Sequence, residues 1–168
     1  MSAGAVAAFI GLGSNLGEPE RQIRRALVEL DGLAHSRLTG QSPLYGSRPV
    51  GPPGQPDYVN AVAGLDTTLQ PHALLEALQA IERSHDRVRG ERWGARTLDL
   101  DLLLYGERQI DTPVLQVPHP QLHLRAFVLL PLYDLAPDLE LPGLGPLADY
   151  LPQLPGGDLW RLAERTDD

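Results

Sequence analysis

The stretch Arg96-Thr97-Leu98-Asp99-Leu100-Asp101-Leu102-Leu103-Leu104 holds two carboxylates, two positions apart, inside an apolar run. Side chains at i and i+2 of a β-strand point to the same face, so this spacing predicts a strand with both aspartates on one face and leucines on the other. Two like charges on a half-buried face repel each other and are costly to desolvate, so a cation is expected beside them. Mg²⁺ suits such a site, because it binds one or two carboxylates together with water and substrate phosphates. A solvated strand face whose aspartates pair with arginines explains the spacing equally well.

The segment just before this stretch is cationic, although the chain as a whole is acidic. Four arginines and Trp93 stand between positions 87 and 96. Arginines neutralise phosphate oxygens, and carboxylates hold the Mg²⁺ that bridges those oxygens, so the combination favours a phosphate-and-metal site. Solvated surface arginines are the alternative, and Trp93 suits a core or loop-clamp role.

The composition excludes several classes of function. The 168 residues carry a net charge of −8, which argues against a general nucleic-acid binder. The chain has no cysteine, which excludes disulfides, thiolate metal sites and cysteine nucleophiles. Its basic residues are all arginine, so a P-loop lysine and a Schiff base are excluded as well. Because no apolar run has transmembrane length and no leader pattern is present, we expect a soluble cytoplasmic protein with one domain over residues 1–168.

Apolar patterning predicts the order strand, helix, strand, strand, helix, strand. The predicted strands run from Val6 to Leu12, from Arg37 to Tyr45, from Tyr58 to Leu65 and from Leu98 to Tyr105, and the predicted helices run from near Pro19 to about Leu33 and from Pro71 to His85. This order is typical of a ferredoxin-like α+β sandwich. After the last strand we expect additional elements, among them a helix near residues 125–134, and then a loose tail.

The third predicted strand alternates cleanly, which puts Tyr58 and Asn60 on one face. A proline-rich loop of about ten residues precedes this strand, and a loop this long in a compact domain is often functional. An aromatic ring and an amide beside such a loop could bind a flat polar ring, although an ordinary sheet surface is equally compatible with the spacing.

In combination, these motifs resemble the 6-hydroxymethyl-7,8-dihydropterin pyrophosphokinase family of folate biosynthesis. The resemblance extends from Gly11 to about Pro137. It is carried by Gly11-Leu12-Gly13-Ser14-Asn15-Leu16-Gly17, Gln55-Pro56-Asp57-Tyr58-Val59-Asn60-Ala61, Arg92-Trp93-Gly94-Ala95-Arg96-Thr97-Leu98-Asp99-Leu100-Asp101, and Val117-Pro118-His119-Pro120 with Arg125 and Phe127 downstream. The resemblance implies a ferredoxin-like sandwich (βαββαβ) with additional C-terminal elements. The implied reaction moves the terminal pyrophosphate of ATP to the hydroxymethyl group of a reduced pterin, and AMP leaves.

The resemblance also implies a set of site residues. The implied catalytic residues are Arg87, Arg96, Asp99 and Asp101, and the two aspartates are also the implied ligands of two Mg²⁺ ions. The implied nucleotide contacts are Gln79, Glu82, Arg87, Arg89, Arg96, Leu102, His119 and Arg125. The implied pterin contacts are Ser47, Val50, Tyr58, Asn60, Trp93 and Phe127, with Tyr58 and Phe127 sandwiching the ring and Asn60 reading its polar edge. The implied protein is a monomer that binds small molecules and has no nucleic-acid or membrane partner.

The chain departs from the pattern of the family at two positions. Gly90 stands in a slightly shorter arginine loop where some members carry a lysine, and Pro120 replaces a tyrosine after the histidine. Two other functions are compatible with a ferredoxin-like sheet. A nucleotidyl transferase or cyclase also places two aspartates there but releases pyrophosphate. An RNA-binding module is disfavoured by the acidic balance and by the lack of an aromatic-rich sheet face.

Overall fold

The computed structural model describes residues 4–15, 18–47, 57–89, 98–120, 122, 126–153 and 159–162. The first seven elements are β1 (Val6–Ser14), α1 (Pro19–Asp31), β2 (Ser36–Gln41), β3 (Tyr45–Ser47), β4 (Tyr58–Thr67), α2 (Pro71–Arg89) and β5 (Asp99–Tyr105). They are followed by β6 (Ile110–Asp111), β7 (Gln116–Val117), α3 (Ala126–Leu135), β8 (Glu140–Leu141), β9 (Gly145–Pro146), a 3₁₀ helix (Leu147–Gln153) and β10 (Leu159–Arg161). Helices packed on an antiparallel sheet make this an α+β fold, as predicted.

The main sheet has six antiparallel strands in the order β10-β3-β4-β1-β5, and β2 also pairs with β4. The single strand predicted from Arg37 to Tyr45 is wrong, because the chain forms β2 and β3 with a break between them. Pro43 lies in this break and has no N–H to donate to a ladder. Ser42 bridges the break: its hydroxyl accepts the N–H of Val62 at 2.9 Å. Both short strands therefore line the same edge of β4.

One face of the sheet is buried under α1 and α2. The alternation predicted for β4 is confirmed there, because Ala61, Ala63 and Leu65 belong to this core together with Leu100 and Leu102 of β5. The helices contribute apolar side chains at helical spacing, namely Ile23, Ala26, Leu27, Leu30, Leu74, Leu78 and Ile81. Their burial leaves Asp99 and Asp101 on the opposite face of β5, where both are half-buried.

A second core forms on that opposite face. Val62 of β4 and Leu103 of β5 pack there against Val128, Leu129 and Leu132 of α3. Helices α1 and α2 thus cover one face of the sheet. Helix α3 covers part of the other face, where Leu103 follows the two aspartates in β5. Within the described residues, no helix is long and apolar enough to cross a membrane.

The additional elements predicted after Tyr105 are present, and the helix predicted near residues 125–134 is confirmed as α3. Beyond α3 the chain is more regular than the predicted loose tail. Strands β6 and β7 form one small hairpin, β8 and β9 form another, and β10 extends the main sheet beside β3. The Val117–Pro118 peptide bond, next to His119, is cis. Strands of two residues have no measurable period, so their pairing could not be predicted from the sequence.

Candidate active site

The aspartates of β5 lie in register with two glycines of β1. Asp99 pairs with Gly13, and Asp101 pairs with Gly11. On its other side, Gly13 pairs with Asn60 of β4. Directly opposed residues of antiparallel strands share a face, so Asp99, Gly13 and Asn60 form one row across the sheet. Because neighbouring strands are about 4.8 Å apart, the carboxylate and the amide stand on strands about 10 Å apart, with only a glycine between them.

The glycine in the middle of this row leaves room beside both polar side chains. A Cβ atom added at Gly13 would lie 3.3 Å from Oδ1 of Asn60, a tight contact for a methyl group. The first predicted strand ends at Leu12, but β1 continues through Ser14, because Gly13 pairs with Asn60 and Ser14 pairs with Val59. Two glycines that are two positions apart in a strand, here Gly11 and Gly13, are the sequence signal for a strip of sheet without side chains.

Hydrogen bonds orient the amide end of the row. Asn60 is 4% exposed, and its Nδ2 donates to the hydroxyl of Ser47 at 2.8 Å. Tyr58 stands two positions before Asn60 in β4 and therefore lies on the same face, as predicted. Its side chain is half-buried. Tyr45, the next residue in the row, donates its hydroxyl to Asp134 of α3. Tyr45 and Asp134 therefore join β3 to the helix that begins beside Phe127, a link that the sequence did not indicate.

A cavity of about 440 Å³ runs along the outer edge of β5. Its lining includes side chains from both faces of this strand, namely Leu100, Asp101 and Leu102, together with Leu75 of α2 and the segment 112–116 of the β6–β7 hairpin. His119 and Pro120 complete it, and the His119 N–H donates to the carbonyl of Leu103 at 3.0 Å. The cavity thus has a mixed apolar and polar lining that includes one carboxylate of the aspartate pair. No sequence pattern indicated that residues 112–116 line this cavity.

Two of the predicted nucleotide contacts on α2 have described side chains. Gln79 is exposed, whereas Glu82 is 8% exposed. The Oε2 atom of Glu82 accepts the backbone N–H of Leu100, between the two aspartates, at 2.7 Å. Phe127, the predicted partner of Tyr58 around the pterin, is half-buried near the start of α3 and packs against the second core.

The remaining predicted site residues have no described side chains. Val50, Trp93, Arg96 and Arg125 lie outside the described residues. Arg87 and Arg89 belong to the last turns of α2, but their side chains are likewise outside the described part of the structure. The contacts predicted for the four arginines with the nucleotide, and for Val50 and Trp93 with the pterin, stay predictions.

The aspartate pair fits a hard cation such as Mg²⁺. It offers carboxylate oxygens on one face of a strand, and Mg²⁺ is typically held by one or two carboxylates with water and substrate phosphates in the other positions. Among the residues that the structure describes, no three His, Asp or Glu side chains converge as a metal cage would require. The donor set therefore suits a metal that arrives with a phosphate ligand better than a permanently caged one.

Fold and site together define a class: an α+β protein with a carboxylate pair on one strand and a cavity beside it that one of the two carboxylates lines. This arrangement is expected of an enzyme that handles metal-bound phosphates. The family model described as 7,8-dihydro-6-hydroxymethylpterin-pyrophosphokinase matches residues 9–137. The chain is 54% identical to the 2-amino-4-hydroxy-6-hydroxymethyldihydropteridine pyrophosphokinase of Pseudomonas aeruginosa, over 92% of this chain and 95% of that protein. It is 50% identical to the enzyme of the same name from Haemophilus influenzae, over 82% of this chain and 86% of that one.

The chain belongs to the 7,8-dihydro-6-hydroxymethylpterin-pyrophosphokinase family. Both the family and the activity predicted from the sequence, that of an ATP-dependent pyrophosphokinase of folate biosynthesis, are thereby confirmed. Among solved structures, a crystal structure of Plasmodium falciparum HPPK-DHPS with pteroate is similar, with a TM-score of 0.72 over 91% of this chain. At 13% identity this likeness concerns the fold alone, and the chain spans 43% of the length of the Plasmodium chain.

Proposed function

We propose that this chain binds MgATP over Asp99 and Asp101 and binds the reduced pterin beside Asn60. The hydroxymethyl group of the pterin would then meet the β-phosphorus of ATP above the strip of sheet formed by Gly11 and Gly13. The observation that carries the proposal is the row Asp99–Gly13–Asn60 across three adjacent strands. A separation of about 10 Å between the outer strands leaves room for a triphosphate at one end and a ring at the other.

We also propose that the core has the ferredoxin-like arrangement. Counting β2 and β3 as one interrupted strand, the chain order is strand, helix, strand, strand, helix, strand. The first strand lies between the third and the fourth, and the second strand lies outside the third. Both features support this arrangement, and the elements after Tyr105 are then additions to it.

The aspartates have a simple role in this proposal. Asp99 and Asp101 would hold two Mg²⁺ ions, as the resemblance implies, and their carboxylates would balance part of the charge of those ions. The chemistry that Mg²⁺ supplies when bound is neutralisation of phosphate charge and polarisation of the oxygens of the transferring group. Because both aspartates stand on a paired strand, their carboxylates are fixed before the substrates arrive, which lowers the cost of reorganisation during the reaction.

The other residues bind and orient the two substrates. Asn60 would hydrogen-bond the polar edge of the pterin, since its amide is already oriented by Ser47. Tyr58 and Phe127 would stack on the ring, which suits flat aromatic groups. The cavity lined by Leu75, Leu102 and residues 112–116 would take the nucleoside end of ATP, because it offers both apolar side chains and polar groups to a base and a ribose.

The arginines would neutralise the triphosphate. Arg87, Arg89, Arg96 and Arg125 are the candidates, and a planar guanidinium can bind phosphate oxygens in a bidentate manner. No lysine is present to share this task. The reaction itself forms a bond between the hydroxymethyl oxygen and the β-phosphorus. It breaks the bond from that phosphorus to the bridging oxygen, which leaves with AMP, and the hydroxyl proton passes to a base or to solvent.

The number of metal ions can be counted directly. With an ATP analogue whose α,β-bridging oxygen is a methylene group, and with 6-hydroxymethylpterin present, we expect two Mn²⁺ ions to bind each chain in an electron paramagnetic resonance titration. The Asp99→Asn and Asp101→Asn variants should each lose bound Mn²⁺, because an amide is a weaker ligand than a carboxylate. Binding of a single ion by the unmodified protein would contradict the two-ion proposal. The monomeric state and the cytoplasmic location stay predictions.

A further inference from the structure

Glu82 of α2 reaches the strand that carries the aspartates. Its side chain is 8% exposed, and its carboxylate accepts the N–H of Leu100 at 2.7 Å. Leu100 is the residue between Asp99 and Asp101. Its own side chain points away from them into the core beneath α1 and α2. Glu82 therefore contacts the backbone of the strand that carries the aspartates.

The direction of this N–H follows from the sheet. In an antiparallel pair, successive residues alternate between backbone groups that face the partner strand and backbone groups that face away. Strand β5 is an edge strand that pairs with β1, and the Leu100 N–H faces away from β1 toward α2. A buried N–H at such an edge needs an acceptor, and an ionised carboxylate is a strong one.

The aspartates themselves are paired on the inner side. Asp99 lies opposite Gly13 and Asp101 lies opposite Gly11, whereas Leu100 is held from the outer side by Glu82. Asp99 and Asp101 are thus held on the β1 side of the strand, and Leu100 is held on the opposite side. Loss of the outer contact would leave the short segment between the aspartates free to twist, which would change the separation of the two carboxylates.

A role for Glu82 as a third metal ligand does not fit the geometry. Among the described residues, no group of three acidic or histidine side chains could hold one ion. The cavity along β5 is lined by Asp101 and His119, but Glu82 is not among the described residues that line it. A role through the backbone is what the observed contact supports.

We propose that Glu82 is a positioning residue that sets the spacing of Asp99 and Asp101 through the Leu100 N–H. This inference rests on the proposed function of the two aspartates as metal ligands. It differs from the role that the family resemblance implies for Glu82, a contact near the nucleotide.

The test compares two substitutions of similar size. Glu82→Leu removes the acceptor, whereas Glu82→Gln retains an oxygen that can accept the Leu100 N–H. For the leucine variant we expect one of two changes, each of about 10- to 100-fold: a rise in the Mg²⁺ concentration that gives half-maximal rate, or a fall in kcat. This is the usual effect of losing a residue that orients a metal ligand. The glutamine variant should stay within about threefold of the unmodified protein, because a neutral acceptor still occupies the site. Glu76→Gln, on an exposed turn of the same helix, is the matched control and should change nothing.

Hydrogen exchange gives a readout that does not depend on activity. In Glu82→Leu, the amide of Leu100 should exchange at least about tenfold faster, because its N–H loses its acceptor. The amides of Leu103 and Leu104 should keep their rates. AMP binding measured with EDTA should be unchanged in both Glu82 variants. Weaker AMP binding would instead assign Glu82 to the nucleotide. In the leucine variant, an unchanged Leu100 exchange rate, or an unchanged kcat together with an unchanged Mg²⁺ dependence, would also overturn the inference. Failure of the proposed function is distinguishable, because only then would Asp99→Asn and Asp101→Asn remain active.

Discussion

Asp99→Asn and Asp101→Asn are each expected to lower kcat by about 10³-fold, which corresponds to about 4 kcal/mol of lost transition-state stabilisation. An amide keeps the shape of the side chain but neither the charge nor the second carboxylate oxygen that a Mg²⁺ ligand provides. Folding should be unaffected, because the change removes a like-charge repulsion from a half-buried strand face. Steady-state rates at saturating Mg²⁺ and thermal unfolding of the same samples check both parts of this prediction.

Asp138→Asn is a suitable control for these variants. Asp138 is an exposed residue in the turn after α3, far along the chain from β5, and its replacement should leave kcat unchanged. A variant at either Asp99 or Asp101 that turns over at nearly the normal rate would refute the ligand role of that residue. It would favour the alternative that the aspartates are a solvated strand face.

Asn60→Ala is expected to raise the KM for the pterin by about 10- to 100-fold, equivalent to about 1 to 3 kcal/mol, with a smaller effect on kcat. The reason is that Asn60 is buried and offers the polar contact that the resemblance assigns to the edge of the pterin. Its loss leaves polar groups of the bound ring without a partner, and such groups are costly to bury. The KM for ATP should not change, since the nucleotide is expected along β5.

Two further variants locate the origin of this effect. Ser47→Ala retains the amide but removes the hydroxyl that orients it, so a smaller rise in the KM for the pterin is expected. Asp66→Asn, at the far end of β4 opposite Ala7, should leave both KM values unchanged. An equal rise in the KM for ATP in Asn60→Ala would show general damage to the site and contradict the assignment.

The features that could be predicted from the sequence depend on local periodicity. The alternation of β4 assigned Ala61, Ala63 and Leu65 to one face and Asn60 to the other. The alternation of aspartates and leucines in β5 assigned the two faces of that strand correctly. Near the site, apolar residues alternate with polar ones in both strands, so the pattern indicates which side chains point into the core beneath α1 and α2. The helices were predicted for the same reason, with α2 extending one turn further than expected.

The features that were missed depend on contacts between distant residues. Strand β1 runs past Gly13 because β4 pairs with it there, and the strand break at Pro43 is bridged by Ser42 bonding to Val62. Glu82 could be placed on a helix from the sequence, but its contact with the N–H of Leu100 arises only when α2 packs against the edge of β5. In the same way, the wall that residues 112–116 form depends on a hairpin whose strands are too short to have a period.

The identity of the products tests the central claim most directly. The protein is incubated with MgATP and 6-hydroxymethyl-7,8-dihydropterin, the nucleotides are separated by chromatography, and the pterin product is examined by phosphorus magnetic resonance. We predict AMP and a pterin diphosphate in equal amounts, because attack at the β-phosphorus transfers both terminal phosphates together. Formation of ADP with a pterin monophosphate, or release of free pyrophosphate as in a nucleotidyl transferase, would contradict the claim.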